Sequence, residues 1–451
     1  MTPEGPSWLV RRRFPLLAVI VMTVIGMAGT IWGPLYYGKT AWGLPDDLWG
    51  TLTAAQRLLH LNLAALYTTP TQLVSLPGTA IILIPVVAVM DLAGIAVPAP
   101  GVAMGHHPAS WLVAGPYQVF VSAVVLVAAD ALAERLGATQ PKRFVLAVAE
   151  ATALWGVTVR WGHPEDAVAT GLLLYAIVAL ADAKPGRSAW LAGAAVAVQP
   201  LVVLALPVLL AVVAPKRWPG FLARTAAPSV VLLAIAAAAN WTATVHAVTN
   251  QPNSPTIDHP TPWIYVAPHL VGGQVAAGPA RIVAIVVACG CGLIAARRWR
   301  PARLSAESHP ARAGAEPGAQ SHPAPLGAEP GARWRPEMLQ DVLWWTAIAL
   351  ALRSAFEPVM VAYYLWPPLA VALIAASRDW ARLLPVGVVA IVLTFFSQVQ
   401  WHNPWAWWVP MITLLGLALF FARANSGRAR LATPAQVLPE PGEQFVADGA
   451  P

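Results

Sequence analysis

The chain has 451 residues, 57% of them hydrophobic and 11% charged, with a formal charge of +7. A water-soluble domain carries about 25% charged residues to wet its surface, so this composition excludes one. The basic residues form short clusters rather than a continuous surface or an aromatic ladder, which excludes a nucleic-acid partner.

In chain order, Arg11, Arg12 and Arg13 precede a first apolar block over 16–37. That block lacks a small-residue cleavage site and reads as a retained helix rather than a signal peptide. The loop 38–78 carries Asp46, Asp47, Arg57, His60 and Tyr67. Within it, 48–66 alternates apolar and polar residues at helical spacing, which predicts an interfacial amphipathic helix or a simple surface helix. Further apolar blocks run over 79–97, 112–132, 144–160, 167–183, 189–213, 222–243, 279–296, 339–356, 359–376, 383–399 and 405–422. Most have the length that spans a hydrocarbon core. In lipid each segment must satisfy its own backbone amides, so the expectation is helices and an all-α polytopic membrane protein.

The basic clusters set the orientation. With 11–13, 140–143, 184–187, 215–224 and 297–335 on the cytoplasmic side, the stretch His163 to Asp166 and the loop 244–278 face outward. Parity then requires 189–213 to leave and return, with a break at Gln199–Pro200. It also asks for a break near Pro85, which gives about 11 to 13 helices. The expected organisation is a transmembrane core over 1–300, a disordered cytoplasmic linker over 301–335, C-terminal helices over 336–423 and a disordered tail over 424–451. The linker holds a near-duplication, SHPARAGAEPGA and SHPAPLGAEPGA, rich in Pro, Gly and Ala and poor in groups to bury. Cys289 and Cys291 stand two apart in an apolar block and read as structural thiols.

Four places could carry chemistry. Asp46 and Asp47 follow the first helix; a carboxylate there can act as a general base toward a hydroxyl, or Pro-Asp-Asp can simply start a helix. Arg160, His163, Glu165 and Asp166 crowd a membrane boundary, where ionisable groups are costly without partners; a solvated turn with an acidic cap is the alternative. Arg353 and Glu357 stand four apart, which fits an ion pair; Arg353 could instead bind a phosphate, assisted by Tyr363 or Tyr364. His402 and Asn403 lie in an aromatic belt of Trp401, Trp405, Trp407 and Trp408, whose default role is anchoring. His163 has no histidine at i+4 and its carboxylates are immediate neighbours, so the spacing predicts no metal, and no cofactor is expected.

Three stretches resemble the integral-membrane glycosyltransferases of the C-type fold, especially bacterial polyprenyl-phosphate-mannose-dependent mannosyltransferases. They are PDDLWGTLTAAQRLLHLNLAALY, then WGHPEDAVATGLLLYAIVAL with GRSAWLAGAAVAVQPLVVLALPVLL, and ALRSAFEPVMVAYYLWPPLAVAL. The resemblance implies a C-type bundle in the plasma membrane with its active site on the extracytoplasmic side. It implies an inverting transfer of a sugar, mannose in that family, from polyprenyl phosphate to a lipid or glycan acceptor of the envelope. Asp47 would be the base, with Asp46 as fallback. By the resemblance Arg353 would contact the donor's phosphate; Tyr363, Tyr364, His163, Glu165, Asp166, Arg57 and His402 are the further candidates, from their positions alone, for the donor's phosphate or sugar. Gln199 stands where relatives often carry lysine. A carrier of lipid-linked glycans and a non-catalytic assembly subunit are the other readings this layout allows.

Overall fold

The computed structural model describes residues 7–37, 46–68, 73, 75–98, 110–249, 251–256, 258–307, 334–399 and 403–423, with the side chains of 29–37, 46 and 300–307 set aside. His402, most of the 301–335 linker and the 424–451 tail therefore lie outside the described residues. Almost every described element is helical. The chain opens with α1 (Trp8–Arg11) and α2 (Arg13–Tyr37), then α3 (Asp46–Leu59), α4 (Gly78–Ile81), α5 (Ile84–Leu92) and α6 (Ser110–Arg135). It continues with α7 (Gln140–Trp155), α8 (Pro164–Ala181), α9 (Pro185–Val198), α10 (Leu206–Val212), α11 (Trp218–Ala239), α12 (Trp241–Thr249) and α13 (Gly278–Glu307). The last helices are α14 (Pro336–Phe356), α15 (Trp366–Ala376), α16 (Trp380–Phe396) and α17 (Pro404–Ala422). One two-residue antiparallel pairing departs from an all-α fold: β1 (His259–Pro260) with β2 (Val359–Met360).

Among the described residues, five helices are long and apolar enough to cross a membrane: α6, α8, the helical stretch 215–239, the first part of α13 and α17. The outer faces of α11 and α13 expose Val230, Val231, Ile235, Ile282, Val286 and Leu293. A continuous apolar exterior of this kind is stable only against lipid. By contrast α8 is enclosed on nearly all sides, and α6 and α9 pack along it.

Both expected helix breaks are present. Gln199 is extended (φ −139°, ψ 103°) between α9 and a 3-10 turn over 200–205. The break frees the Val198 carbonyl, and the buried Thr79 hydroxyl donates to it at 2.7 Å. Gly78 lies against the Ala197 backbone, where a Cβ would collide with the carbonyl. The second break falls at Ile82–Leu83, and Pro85 sits in the first turn of α5, where a missing N–H costs nothing.

The predicted amphipathic helix is α3. Its apolar face, Leu48, Trp49, Leu52, Ala54 and Ala55, is buried within the protein against α4 and α5, so it is an internal strut. Trp407 is likewise inside, stacked on His259 with ring centres 4.0 Å apart, whereas Trp405 is exposed. The anchoring role expected for the whole aromatic group does not fit Trp407.

One end of the bundle carries a belt of ion pairs. Buried Asp130 accepts from Arg12 at 2.7 Å and from Arg143 at 2.7 and 2.6 Å. Glu134 meets Arg11 and Arg12, and Arg135 meets Asp182 at 2.6 Å. Lys142 reaches the Arg378 carbonyl, and Arg378 pairs with Glu337 at 2.6 Å. Helices α7, α8, α14 and α16 run from this belt to the opposite end, where the candidate site lies.

Candidate active site

The site is assembled where a distorted helix end meets a new helix start. After Trp155, α7 widens into a π-helical turn over Gly156–Arg160, a distortion frequent at functional sites. Gly162 then adopts φ +71°, a left-handed conformation that glycine accepts without strain. The His163 amide turns back to the Val157 carbonyl at 3.0 Å, and Pro164 opens α8 with its fixed φ. Neither Glu165 nor Asp166 caps the helix by a hydrogen bond. Instead both stand in its first turn, where the positive end of the helix dipole favours carboxylates.

His163 bridges two carboxylates. Its Nε2 lies 3.0 Å from Asp47 Oδ2, and its Nδ1 lies 2.5 Å from Glu165 Oε1. The ring stacks on Tyr363, centres 4.0 Å apart. Asp166 accepts through Oδ1 from the Gln199 amide at 3.0 Å and from Arg353 Nη1 at 3.1 Å. The Arg353 guanidinium lies over the Tyr364 ring, 3.4 Å from its centre, a cation–π contact strengthened by burial. Asp47, His163, Glu165, Asp166, Arg353, Tyr363 and Tyr364 therefore come together although they arise from four separate parts of the chain.

The remaining candidates fall elsewhere. Arg57, in the last turn of α3, donates to the backbone carbonyls of Ala65 and Thr68 and so braces the following loop. The side chain of Asp46 is outside the described residues, as is His402. The expected ion pair between Arg353 and Glu357 is absent. Glu357 binds Arg281 at 2.7 Å, while Arg353 turns to Asp166. The reason is the end of α14: Glu357 is already extended (ψ 140°), so the helical i, i+4 geometry ends before it.

Sequence reasoning assigned Asp258 no role in the site. The segment around it is stitched to the end of α14 by β1–β2, by the Thr261 hydroxyl donating to the Glu357 carbonyl at 2.6 Å, and by the Trp263 indole donating to the Ala355 carbonyl at 2.7 Å. This brings Asp258 close enough to Asp47 and His163 to feel their charges. Its signal in the sequence is slight, as the lone acidic residue of loop 244–278.

The electrostatics follow from this crowding. Burial works against the charged form of His163, yet the negative charge of Glu165 and the bond to Asp47 outweigh it and hold the ring well above its usual range. Burial likewise disfavours ionised Asp47, but the hydrogen bond and charge of His163 prevail and keep the carboxyl below its ordinary value. Asp258 is pushed up to about 6 by burial and then by the charge of Asp47, against the weaker pull of His163. Asp47 thus favours its charged form, with its side chain about half exposed (55%) and its position fixed by a buried imidazole.

Beneath Arg353 a small cleft of about 40 Å³ opens between the 200–205 turn, α13 and α14, lined by Leu201, Leu204, Arg281, Arg353, Phe356 and Glu357 among others. Its lining combines six apolar residues with the charged Arg281, Arg353 and Glu357. One ligand atom from each of His163, Glu165 and Asp166 lies within 4.8 Å of the others, so this trio could hold a metal. No protein-family model matches the chain, and no curated protein matches it.

Proposed function

We propose that this chain is an inverting glycosyltransferase of C-type architecture, with about 11 to 13 membrane helices and its active site on the extracytoplasmic side of the plasma membrane. It moves a sugar, mannose by resemblance, from polyprenyl phosphate to an envelope lipid or glycan. The observation that carries this reading is the Asp47 carboxylate. It is half exposed, it lies 3.0 Å from the buried His163 ring, and it shares one cluster with Arg353 and two tyrosines.

In the proposed reaction Asp47 takes the proton of an acceptor hydroxyl as that oxygen forms a bond to the sugar C1. The bond from C1 to the phosphate oxygen breaks on the opposite face, inverting the configuration. Polyprenyl phosphate leaves with one more negative charge than it carried in the donor. Arg353, which lines the cleft, faces that charge, and a fixed guanidinium there costs no reorganisation during the step. The prenyl chain lies between helices, with its phosphate end at Arg353.

The test supplies purified protein in nanodiscs with polyprenyl-phosphate mannose and a membrane-lipid acceptor extract. Transfer with an inverted anomeric centre, read by NMR of the product, is the expected result. No transfer from mannose or any other polyprenyl-phosphate sugar would overturn the reading and favour a carrier.

A further inference from the structure

We propose that His163, Glu165 and Asp166 form a binding site for one divalent transition-metal ion, with Nδ1 of His163 and one oxygen from each carboxylate as ligands. Three observations support it. One ligand atom of each residue lies within 4.8 Å of the other two, and all three residues are buried. Ligands about 2.0–2.2 Å from an ion stand up to about 4 Å apart, so small rotations of the two carboxylates close the set.

The second observation is an unused oxygen. Asp166 is 1% exposed, and its Oδ1 is taken by Gln199 and Arg353, while its Oδ2 has no hydrogen-bond partner among the described residues. A buried carboxylate oxygen left bare costs free energy. A cation is the partner that fits a carboxylate already fixed on its other side by a guanidinium.

The third is the arrangement of His163 and the charge around it. A metal-bound imidazole commonly donates its other N–H to a carboxylate, which fixes the tautomer. Asp47, 3.0 Å from Nε2, already stands where that acceptor must be, and an ion at Nδ1 takes the place of the proton shared with Glu165. One imidazole with two carboxylates suits ions such as Mn2+ or Zn2+. Three protein ligands leave coordination positions open, available to a phosphate or sugar oxygen.

The claim concerns binding and stands whether or not the chain transfers sugar, so the test reads binding alone. Protein in nanodiscs, stripped with EDTA and dialysed, is titrated with MnCl2 and followed by electron paramagnetic resonance. One Mn2+ per chain is expected. Glu165→Gln and Asp166→Asn should each weaken binding at least about tenfold, with Glu337→Gln, an exposed carboxylate of the belt, unchanged. Because a buried variant can fail to fold, pulsed resonance on the wild type gives an independent readout: a coupling to a single imidazole nitrogen. Absence of stoichiometric binding, or binding without nitrogen coupling, would overturn the proposal.

Discussion

The two ends of the bundle use the same residue types to opposite effect. At the belt, each carboxylate meets a guanidinium: Asp130 takes Arg12 and Arg143, Glu134 takes Arg11 and Arg12, Asp182 takes Arg135, and Glu337 takes Arg378. At the site end, among the described residues, carboxylates outnumber cations, an Asp166 oxygen has no hydrogen-bond partner, and Asp47 stands half exposed. Complete pairing is what a structural clamp requires. Excess charge held in place by packing is what binding or chemistry requires, since such groups wait for a partner from outside. Charge near a membrane boundary is therefore not informative by itself; its degree of satisfaction is.

Substitutions at the two ends should separate these roles. The largest effect is expected at the site: Asp47→Asn lowers transfer by about 10²–10⁴-fold at unchanged yield of folded protein, measured by product formation and size-exclusion chromatography. At the belt the loss should be of stability. Asp130→Ala leaves Arg12 and Arg143 without their buried partner and costs about 3–5 kcal/mol, read as a lowered unfolding midpoint with normal transfer per folded molecule. Between the ends, Thr79→Val strands the Val198 carbonyl at the helix break and costs about 1–3 kcal/mol, again visible in the unfolding midpoint.

The smallest effect concerns Asp258. Its carboxyl is raised from 3.8 to about 6, so the folded state prefers the neutral form. The stability this group contributes is complete below its ordinary value and is lost as pH rises through about 6. Asp258→Asn should therefore raise the unfolding midpoint at pH 7.5 and leave it unchanged near pH 3.5. A variant less stable than wild type at pH 7.5 would show that Asp258 is bonded to a cation instead.

Much of this was legible in the sequence for simple physical reasons. Apolar blocks of spanning length announce helices, and Gln199–Pro200 announces a break because proline lacks the N–H that a continuing helix needs. His163, Glu165 and Asp166 stand out because ionisable residues are rare at such a boundary. Partners were not legible. Arg353 has Glu357 at ideal helical spacing, yet α14 ends one residue too soon and Arg353 meets Asp166, 187 positions away. Asp258 owes its place to β1–β2, a pairing of two residues on each side that leaves no periodic trace.

The central claim is that the site end does chemistry and the belt does not. Its most direct test is the rate of sugar transfer per folded molecule, from polyprenyl-phosphate mannose, for wild type, Asp47→Asn and Asp130→Asn side by side. The account predicts transfer from wild type and from Asp130→Asn, and almost none from Asp47→Asn. Equal rates for wild type and Asp47→Asn would contradict it.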